Sequence, residues 1–373
     1  MNVLVTGAKG FIGKNLCLEL KNRSFNVFEF DKNNSSSDLS NFVSSADFIV
    51  HLAGVNRSLS VEEFSLGNAH FTFELIDTIK QSGRLIPLIF TSSIQVSLNT
   101  DYGKTKKEAE DFLLDFSKNT GNPVFIYRLS NAFGKWSVPN YNSVIATFCY
   151  NISHNIDIKI NNPEAETSFV YIDDIVNDFI ELIRGTKKEV CMFPLEVIPI
   201  YKVKVGDIAK LLYLFKNSRE NFTLPNISGE FERKLFATYL SYLDPKDFSY
   251  PLSKHIDGRG SFAEFLKAKS LGQISINVSK PGMTKGNHWH QSKIEKFLVV
   301  YGEASIKLRK VGTHEVMEYK VSGDELRVVD IPCGYTHNIT NTGQNDLVMI
   351  MWADELFNPS KPDTYSLEVI ANE

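Results

Sequence analysis

The sequence has few cysteines, little net charge and no long hydrophobic run. Its four cysteines, Cys17, Cys149, Cys191 and Cys333, form no C-x-x-C pair, so no zinc or redox motif is indicated and reduced thiols are expected. A net charge of −4 gives no indication of a nucleic-acid or acidic-membrane partner. No apolar run approaches the roughly 20 residues that span a bilayer, and strand-like residues from Val3 leave no room for a signal sequence. We therefore expect a soluble, cytoplasmic protein.

The 373 residues are too many for one typical core and favour two domains. Up to about residue 185, short apolar runs alternate with amphipathic helical patterns, which predicts a doubly wound, Rossmann-type parallel sheet. The predicted strands are Val3–Val5, Asn26–Phe30, Phe48–Leu52, Ile86–Phe90 and Val124–Arg128. The predicted helices are Phe11–Lys21, Phe71–Ser82, Tyr102–Lys118, Ile172–Arg184, Val205–Glu220 and Glu230–Leu243, and Asn33–Asp38 is interpreted as a polar loop.

The pattern changes beyond Asp244, where short strand-like segments are separated by Gly, Asn and Asp turns. Gln273–Ser279 alternates strictly, with Ile274, Ile276 and Val278 on one face. Further strands are predicted at Phe297–Val300, Ala304–Arg309, Glu325–Ile331 and Leu347–Trp352. This half is typical of a small antiparallel barrel, so the domains are predicted as residues 1–245 and 246–373.

Glycines cluster where the first predicted strand meets the first helix. Gly7, Gly10 and Gly13 stand in a turn with Lys9, Phe11 and Ile12. A pyrophosphate must approach bare backbone amides at a helix N-terminus, which requires small residues. The context of strand, turn and helix therefore predicts a dinucleotide site rather than an ordinary tight turn.

The adenosine side of this site is predicted to be completed by residues later in the chain together with Lys9 of the turn. Asp31 ends the second strand, the usual position of a carboxylate that binds the adenosine ribose, although a solvated turn residue would look the same. Asp38 and Leu39 are placed to border the adenine. Lys9 and Lys32 could meet a 2′-phosphate, which Asp31 alone would repel.

A Ser–Tyr–Lys set follows the glycine turn, and its three groups can together act on a ketone. Tyr102 and Lys106 share a face of one predicted helix, because they are four residues apart. A lysine ammonium favours the phenolate and is expected to lower the tyrosine pKa, so that the tyrosine can pass its proton to a carbonyl oxygen. Ser93, with Ser92 as the alternative, would supply a hydroxyl from a neighbouring strand end.

With these motifs the first half resembles the extended short-chain dehydrogenase/reductase family. The strand end Leu52-Ala53-Gly54 and the segment Tyr171-Ile172-Asp173-Asp174 match the family as well. The resemblance implies that Ser93, Tyr102 and Lys106 are catalytic and that a nicotinamide cofactor binds. It places Arg128 against the cofactor and Asn131 in the substrate pocket, and it assigns Lys135, Trp136 and Asn142 to the nucleotide diphosphate.

A histidine-rich pattern marks the second half. His288 and His290 can face one cavity, since alternate residues of a strand point the same way. Glu295 follows on the next strand, and His337 brings a third imidazole. Three histidines and a carboxylate can bind Zn²⁺ or another divalent transition metal. The alternative is a metal-free site in which the histidines are acid–base groups or satisfied core residues.

This second pattern resembles the cupin superfamily, which assigns the metal to the positions of His288, His290, Glu295 and His337. The segment Asp257–Glu264 resembles part of the cupin sugar epimerases, although a surface turn with an Arg–Asp pair would look much the same. The base for C3 stays open. His337 qualifies only if it is not a ligand, and Glu264, Tyr335 and a metal-bound water are the other candidates.

The two sites can act on one sugar. A ketone at C4 of a hexose acidifies the C3 hydrogen, because the carbanion delocalises as an enolate, and a Ser–Tyr–Lys reductase can trap the same ketone. Both halves in this order resemble the CapF family of capsular polysaccharide enzymes over essentially the whole chain. That resemblance implies a homodimer that epimerises C3 of a UDP-linked 2-acetamido-2,6-dideoxy-4-hexulose. It then reduces C4 with NADPH to UDP-2-acetamido-2,6-dideoxy-L-talose for UDP-N-acetyl-L-fucosamine synthesis.

Three other functions remain open at this stage. The chain could be a reductase alone, using NADP(H) or NAD(H), with a cupin that only dimerises or holds substrate. It could be an NADP(H)-sensing or sugar-binding regulator, which would have no use for the Ser–Tyr–Lys set. A metal oxygenase would fit the cupin ligands but leaves the first half unexplained.

Overall fold

A computed structural model of the chain describes residues 1–57, 61–187 and 194–370, so Cys191 lies outside the described residues. The chain divides into two compact units. One comprises Met1–Tyr213 and Ile227–Asp244, and the other comprises Leu214–Asn226 and Pro245–Glu373. The sequence analysis did not separate Leu214–Asn226 from the first domain. This segment exchanges backbone hydrogen bonds with Lys267, which donates to Phe222 (2.8 Å) and accepts from Leu224 (2.7 Å).

The first unit is built on a parallel sheet of the predicted doubly wound type. Its strands are β1 (Asn2–Thr6), β2 (Asn26–Phe30), β3 (Phe48–His51), β4 (Leu88–Ser93) and β5 (Val124–Leu129), in the order β2-β1-β3-β4-β5. A smaller sheet joins β6 (Asn131–Phe133), β7 (Glu166–Tyr171) and β8 (Tyr201–Lys204). Strands covered by helices on both faces are apolar throughout, and Val3, Leu4 and Val5 are fully buried.

Helices pack on both faces of the parallel sheet. The helices of the chain are α1 (Phe11–Asn22), α2 (Ser36–Ser45), α3 (Val61–Phe64), α4 (Phe71–Ser82), α5 (Asp101–Thr120), α6 (Val144–Ser153), α7 (Ile172–Ile183), α8 (Val205–Glu220) and α9 (Glu230–Leu240). A π-helical turn, Ser65–His70, precedes α4. Helices α1 and α7 bury one apolar cluster, and α2, α4 and α5 bury the other.

The interpretation of Asn33–Asp38 as a polar loop is wrong from Ser36 onward, where α2 begins. Ser35 and Asp38 form a capping box: the Ser35 hydroxyl accepts from the Asp38 amide (3.2 Å), and the Asp38 carboxylate accepts from the Ser35 amide (2.8 Å). The helix was missed because its first turn is made of serines and an aspartate, which favour caps and loops over helix interiors.

The second unit consists of two antiparallel sheets, as the barrel prediction required. One has the order β16-β13-β18-β11-β10-β9, and the other β15-β14-β17-β12-β19. The strands are β9 (Lys254–Asp257), β10 (Gly260–Ala268), β11 (Gly272–Ser279), β12 (Thr284–Trp289), β13 (Glu295–Tyr301), β14 (Glu303–Lys310), β15 (Val316–Ser322), β16 (Val328–Ile331), β17 (Tyr335–Asn341), β18 (Leu347–Ala353) and β19 (Tyr365–Ser366). Their apolar side chains pack into one core that includes Phe297, Ile306 and Met349.

Strand β11 alternates as predicted, and its polar face is the more deeply buried one. Gln273, Ser275 and Asn277 are buried, whereas Ile274 and Ile276 are half-buried. Asn277 pairs with Met349 of the core, so the polar residues share the core-facing side of the sheet. Burying polar side chains is costly unless they are hydrogen-bonded or line a site. The interior of this unit is therefore partly polar.

Among the described residues, every helix is too short or too polar to span a lipid bilayer. The described cysteines are free thiols: Cys17 and Cys149 are buried and Cys333 is exposed.

Candidate active sites

The glycine turn between β1 and α1 is packed too closely for side chains. A Cβ on Gly13 would lie 2.2 Å from the Gly7 carbonyl oxygen, and a Cβ on Gly7 would lie 2.7 Å from the Ala53 amide nitrogen. Gly7 also has a φ of +68°, which favours glycine. Gly10 is the N-cap of α1 and has no side chain to cover the amides of the first turn. Such a turn can receive a phosphate group on backbone N–H groups.

The residues predicted to contact the adenosine part of the cofactor lie in different environments. Asp31 binds the turn itself, because its carboxylate accepts from the backbone amides of Lys9 (2.8 Å) and Lys32 (2.9 Å). The side chains of Lys9 and Lys32 are exposed beside it. Asp38 caps α2, and a backbone hydrogen bond from Ser35 lowers its pKa. Leu39 is fully buried in the core. The ribose and adenine roles of these residues stay predictions.

The Ser–Tyr–Lys set comes together at the end of β4 and the start of α5. Helix α5 begins after the N-cap Thr100, whose hydroxyl accepts from the Gly103 amide (3.1 Å), and Tyr102 and Lys106 lie one turn apart on it. The Tyr102 hydroxyl donates to Asn56 Oδ1 (3.2 Å). Burial raises the Tyr102 pKa to about 12, and a hydrogen bond with Ser93 lowers it in part. Tyr102 therefore keeps its proton at neutral pH, as an acid that must deliver it requires.

Lys106 is buried and lies under Gly54. Its ammonium donates to the Thr91 carbonyl (3.1 Å) and stands 4.9 Å from the Phe90 ring centroid. A Cβ on Gly54 would come within 3.0 Å of Lys106 Nζ, so the strand end Leu52-Ala53-Gly54 borders the lysine. Burial lowers the Lys106 pKa to about 8, and Glu110 opposes this shift. The expected lowering of the Tyr102 pKa by Lys106 is not found: burial raises this pKa, and the opposing effect comes from Ser93.

Some of the residues predicted to bind cofactor or substrate after β4 form hydrogen bonds or ion pairs with other residues of the chain. Arg128 forms a two-point ion pair with the fully buried Glu110 (2.9 and 2.7 Å), which raises the Arg128 pKa. Asn131 donates to the Ser168 carbonyl (3.0 Å), and Lys135 binds Asp173 (2.6 Å).

Two of the predicted diphosphate contacts stand at the surface. Trp136 is 47% exposed and has a φ of +70°, which is strained for a bulky residue and occurs mostly where function requires it. Asn142 lies in an exposed turn before α6.

In the second unit, His288, His290, Glu295 and His337 form one cluster. Their potential ligand atoms lie within 4.8 Å of one another. His288 pairs with His337 across β12 and β17, and Glu295 begins β13. The Glu295 Oε2 lies 3.5 Å from His290 Nε2 and 3.4 Å from His337 Nε2. Burial lowers the His288 pKa to about 4, so its imidazole is neutral, as a metal ligand must be.

The cluster fits a divalent transition metal. His290 Nε2, His337 Nε2 and Glu295 Oε2 are buried and have no hydrogen-bond partner among the described residues, an arrangement that is costly unless something binds them. The second nitrogen of His290, Nδ1, donates to the Asp363 carbonyl (2.6 Å), which fixes the tautomer that leaves Nε2 free for a metal. The Asp363 carboxylate accepts from the amides of Gln291, Ser292 and Lys293 and so orders the loop between the ligands.

A cavity of about 420 Å³ lies beside the cluster. Glu295 lines one side, and Phe262, Met351 and Phe357 contribute apolar surface. His255 and Glu264 line it as well, whereas Tyr335 packs against the core. This volume is in the range of small-molecule sites.

Several residues around both sites were not predicted from the sequence. Asn56 binds the Tyr102 hydroxyl, and Asn68 lies 2.7 Å from a Cβ built on Gly54. Glu110 could have been found, since it is four residues after Lys106 on the same helix face. Asp363 could not, because no pattern links it to histidines more than seventy residues earlier.

Family models and known proteins match the chain over both units. Residues 3–190 match the NAD dependent epimerase/dehydratase family, and residues 255–365 match the polysaccharide biosynthesis C-terminal domain. A Pseudomonas aeruginosa UDP-2-acetamido-2,6-beta-L-arabino-hexul-4-ose reductase is 45% identical over 99% of each chain. The crystal structure of the capsular polysaccharide assembling protein CapF from Staphylococcus aureus is 49% identical, with a TM-score of 0.94 over 99% of this chain and 100% of that one.

A more distant match supports the fold of the first unit. The UDP-glucuronic acid 4-epimerase from Bacillus cereus is 19% identical over 65% of this chain and 98% of its own, with a TM-score of 0.56. The full-length matches and the two family models agree with the order of the two units. The chain therefore belongs to the CapF family, with an N-terminal domain of the NAD dependent epimerase/dehydratase family followed by a polysaccharide biosynthesis C-terminal domain.

Proposed function

We propose that the chain is a bifunctional nucleotide-sugar enzyme. Its second unit inverts C3 of a UDP-2-acetamido-2,6-dideoxy-4-hexulose, and its first unit reduces the C4 ketone with NADPH to UDP-2-acetamido-2,6-dideoxy-L-talose. The product would serve UDP-N-acetyl-L-fucosamine synthesis for capsular or O-antigen polysaccharide. One chain holds both a Ser93–Tyr102–Lys106 set and a His/Glu cluster beside a cavity, and this combination is the main support for the proposal. A P. aeruginosa member of the family is named for reducing such a hexulose.

The reduction uses groups at the end of β4 and the start of α5. Hydride from the nicotinamide reaches C4 while the Tyr102 hydroxyl gives its proton to the carbonyl oxygen, and Ser93 holds that oxygen by a hydrogen bond. Lys106 supplies positive charge near the oxygen as charge develops there. A Tyr102 pKa near 12 suits this direction of proton transfer, because the hydroxyl remains protonated until the alkoxide forms.

The cofactor and metal assignments belong to the same proposal. NADP(H) is preferred over NAD(H), because the exposed Lys9 and Lys32 can neutralise a 2′-phosphate and the Asp31 carboxylate is occupied by their backbone amides. Zn²⁺ or a similar ion would be held by His288, His290, Glu295 and His337. Such an ion supplies Lewis acidity to a carbonyl or enolate oxygen. We expect a homodimer, which light scattering would test.

Product analysis tests the proposal. The purified chain is incubated with UDP-2-acetamido-2,6-dideoxy-β-L-arabino-hexul-4-ose, with and without NADPH, and products are identified by NMR. We expect a C3-inverted alcohol with NADPH and a mixture of C3-epimeric ketones without it. An alcohol with unchanged configuration at C3 would support the reductase activity and contradict the epimerase activity. The absence of NADPH oxidation would contradict the reductase, and the absence of C3-epimeric ketones without NADPH would contradict the epimerase.

A further inference from the structure

The strand register of the second unit places His255 on the same sheet face as Glu295. Residues directly opposite on antiparallel strands share a face. Glu295 is opposite Ala353, and Ala353 is opposite Gln273. Two residues further along β11, Ser275 is opposite Glu264. This face therefore continues from the metal cluster across β18 and β11 to β10.

The same face ends on the edge strand β9. Phe262 is two residues from Glu264 on β10 and stands opposite His255, and the two rings lie 6.5 Å apart. His255 and Glu295 therefore line one cavity from opposite margins of the sheet. Phe262 and Met351 contribute apolar surface to the cavity between His255 and Glu295. A sugar ring in this cavity would lie between the cluster and the His255 imidazole.

Several side chains near this cavity could exchange protons, and most are engaged elsewhere. The imidazoles of His288, His290 and His337 belong to the cluster. Glu264 is paired with Lys267 (2.6 Å), and Lys293 donates to Thr364 (3.3 Å). Glu355 also lines the cavity and carries a carboxylate rather than an imidazole.

His255 differs from these groups. Neither of its ring nitrogens hydrogen-bonds another residue in the part of the chain that the structure describes. Its side chain is exposed to the cavity opening. Histidine exchanges protons near neutral pH, which suits an acid–base group.

We propose that His255 is the proton-transfer residue of this cavity, acting at the carbon next to the ketone of a bound 4-keto sugar. This inference rests on the proposed C3 epimerisation and names the residue that performs it. The neutral imidazole takes the C3 proton, and the electrons of the C–H bond form the C3–C4 double bond of an enolate whose charge lies on the C4 oxygen. Water delivers a proton to the other face of C3, which restores the ketone with inverted configuration, and the His255 imidazolium releases its proton to solvent. No oxidant or reductant is consumed.

Deuterium exchange at C3 without nicotinamide isolates this step. The full chain is loaded with Zn²⁺ and incubated in D₂O with the arabino-hexulose, and C3 deuteration is followed by NMR. We expect His255→Gln to reduce the exchange rate by about 100-fold or more, the usual contribution of a general acid–base group. We expect imidazole added to His255→Ala to restore part of the rate, which a structural role would not allow. Bound Zn²⁺ per chain should equal that of the wild type.

Two further variants separate the possible outcomes. His314→Gln removes an exposed histidine in the turn between β14 and β15 and should exchange like the wild type. Glu264→Gln tests another acid–base group of the cavity and should keep more than a tenth of the rate. Wild-type exchange in His255→Gln, or loss of exchange in Glu264→Gln alone, would overturn the assignment to His255. If the wild type itself shows no exchange at C3, the proposed epimerase activity would be contradicted instead.

Discussion

Lys106 provides the sharpest electrostatic prediction, because its charge depends on a buried partner. Its ammonium lies near the neutral His51 on β3, whose pKa burial lowers to about 3, the Thr91 carbonyl on β4, and Glu110 on α5. With a pKa of about 8, Lys106 loses its proton as the pH rises through that value. Tyr102 stays protonated there. We therefore expect kcat/KM for ketone reduction to fall above about pH 8.

Replacing Glu110 by Gln removes the charge that supports Lys106. The Cβ atoms of residues i and i+4 of a helix lie about 6 Å apart. If the two charges were separated by a similar distance, they would attract by about 2.8 kcal/mol at an effective dielectric of about 20, or about 2 pKa units. Arg128, whose Nη2 lies 2.7 Å from Glu110 Oε2, cancels part of this field. We expect the Lys106 pKa to fall by about 1 unit, so that the alkaline limb moves to about pH 7.

The assay is the pH profile of kcat/KM, which reports groups of the free enzyme. Glu108→Gln is the matched control, because Glu108 is exposed on the same helix and water screens its charge. Thermal unfolding separates loss of stability from the shift in the limb. If Glu110→Gln lowers the rate equally at all pH values, or the limb stays near pH 8, Glu110 does not set the charge of Lys106.

Three other changes test the two sites. Tyr102→Phe should reduce ketone reduction by at least about 100-fold with NADPH affinity nearly unchanged, as fluorescence titration would measure; turnover close to wild type would remove Tyr102 as the acid. Gly13→Ala places a Cβ 2.2 Å from the Gly7 oxygen and should weaken NADPH binding by more than about 10-fold; unchanged affinity would show that the turn does not hold the cofactor. Removing the metal with a chelator should lower the unfolding temperature, because a ligand at about 100 times its Kd stabilises the folded state by about 2.7 kcal/mol; His337→Gln should abolish this difference, and an equal shift in that variant would contradict the cluster as the metal site.

Much of the fold was predictable from local pattern. The glycine turn, the buried strands and the long helices follow from periodicity and from the apolar character of strands covered on both faces. Helix α2 was missed because its first turn is polar and its capping box, Ser35 with Asp38, was interpreted as a loop. The grouping of Leu214–Asn226 with the second unit depends on backbone hydrogen bonds to Lys267, which no side-chain pattern reveals.

Some of the site residues could likewise be predicted from local pattern, and others could not. His288, His290, Glu295 and His337 were predicted as a set, and the structure brings them together, because strand alternation and a short turn suffice to place them. The high pKa of Tyr102 was not predicted, since burial depends on tertiary packing rather than on its distance from Lys106 along the helix. The cavity position of His255 depends on the register of five strands and could not be read from its neighbours in the sequence.

One isotope measurement tests most directly the central claim that both units act on the same ketone. The reaction is run in D₂O with the arabino-hexulose and unlabelled NADPH, and the product alcohol is examined by NMR and mass spectrometry. We expect an inverted C3 that carries deuterium from solvent and a C4 that carries protium from the cofactor. An alcohol with protium at both C3 and C4 would contradict it, because reduction would then proceed without proton exchange at C3.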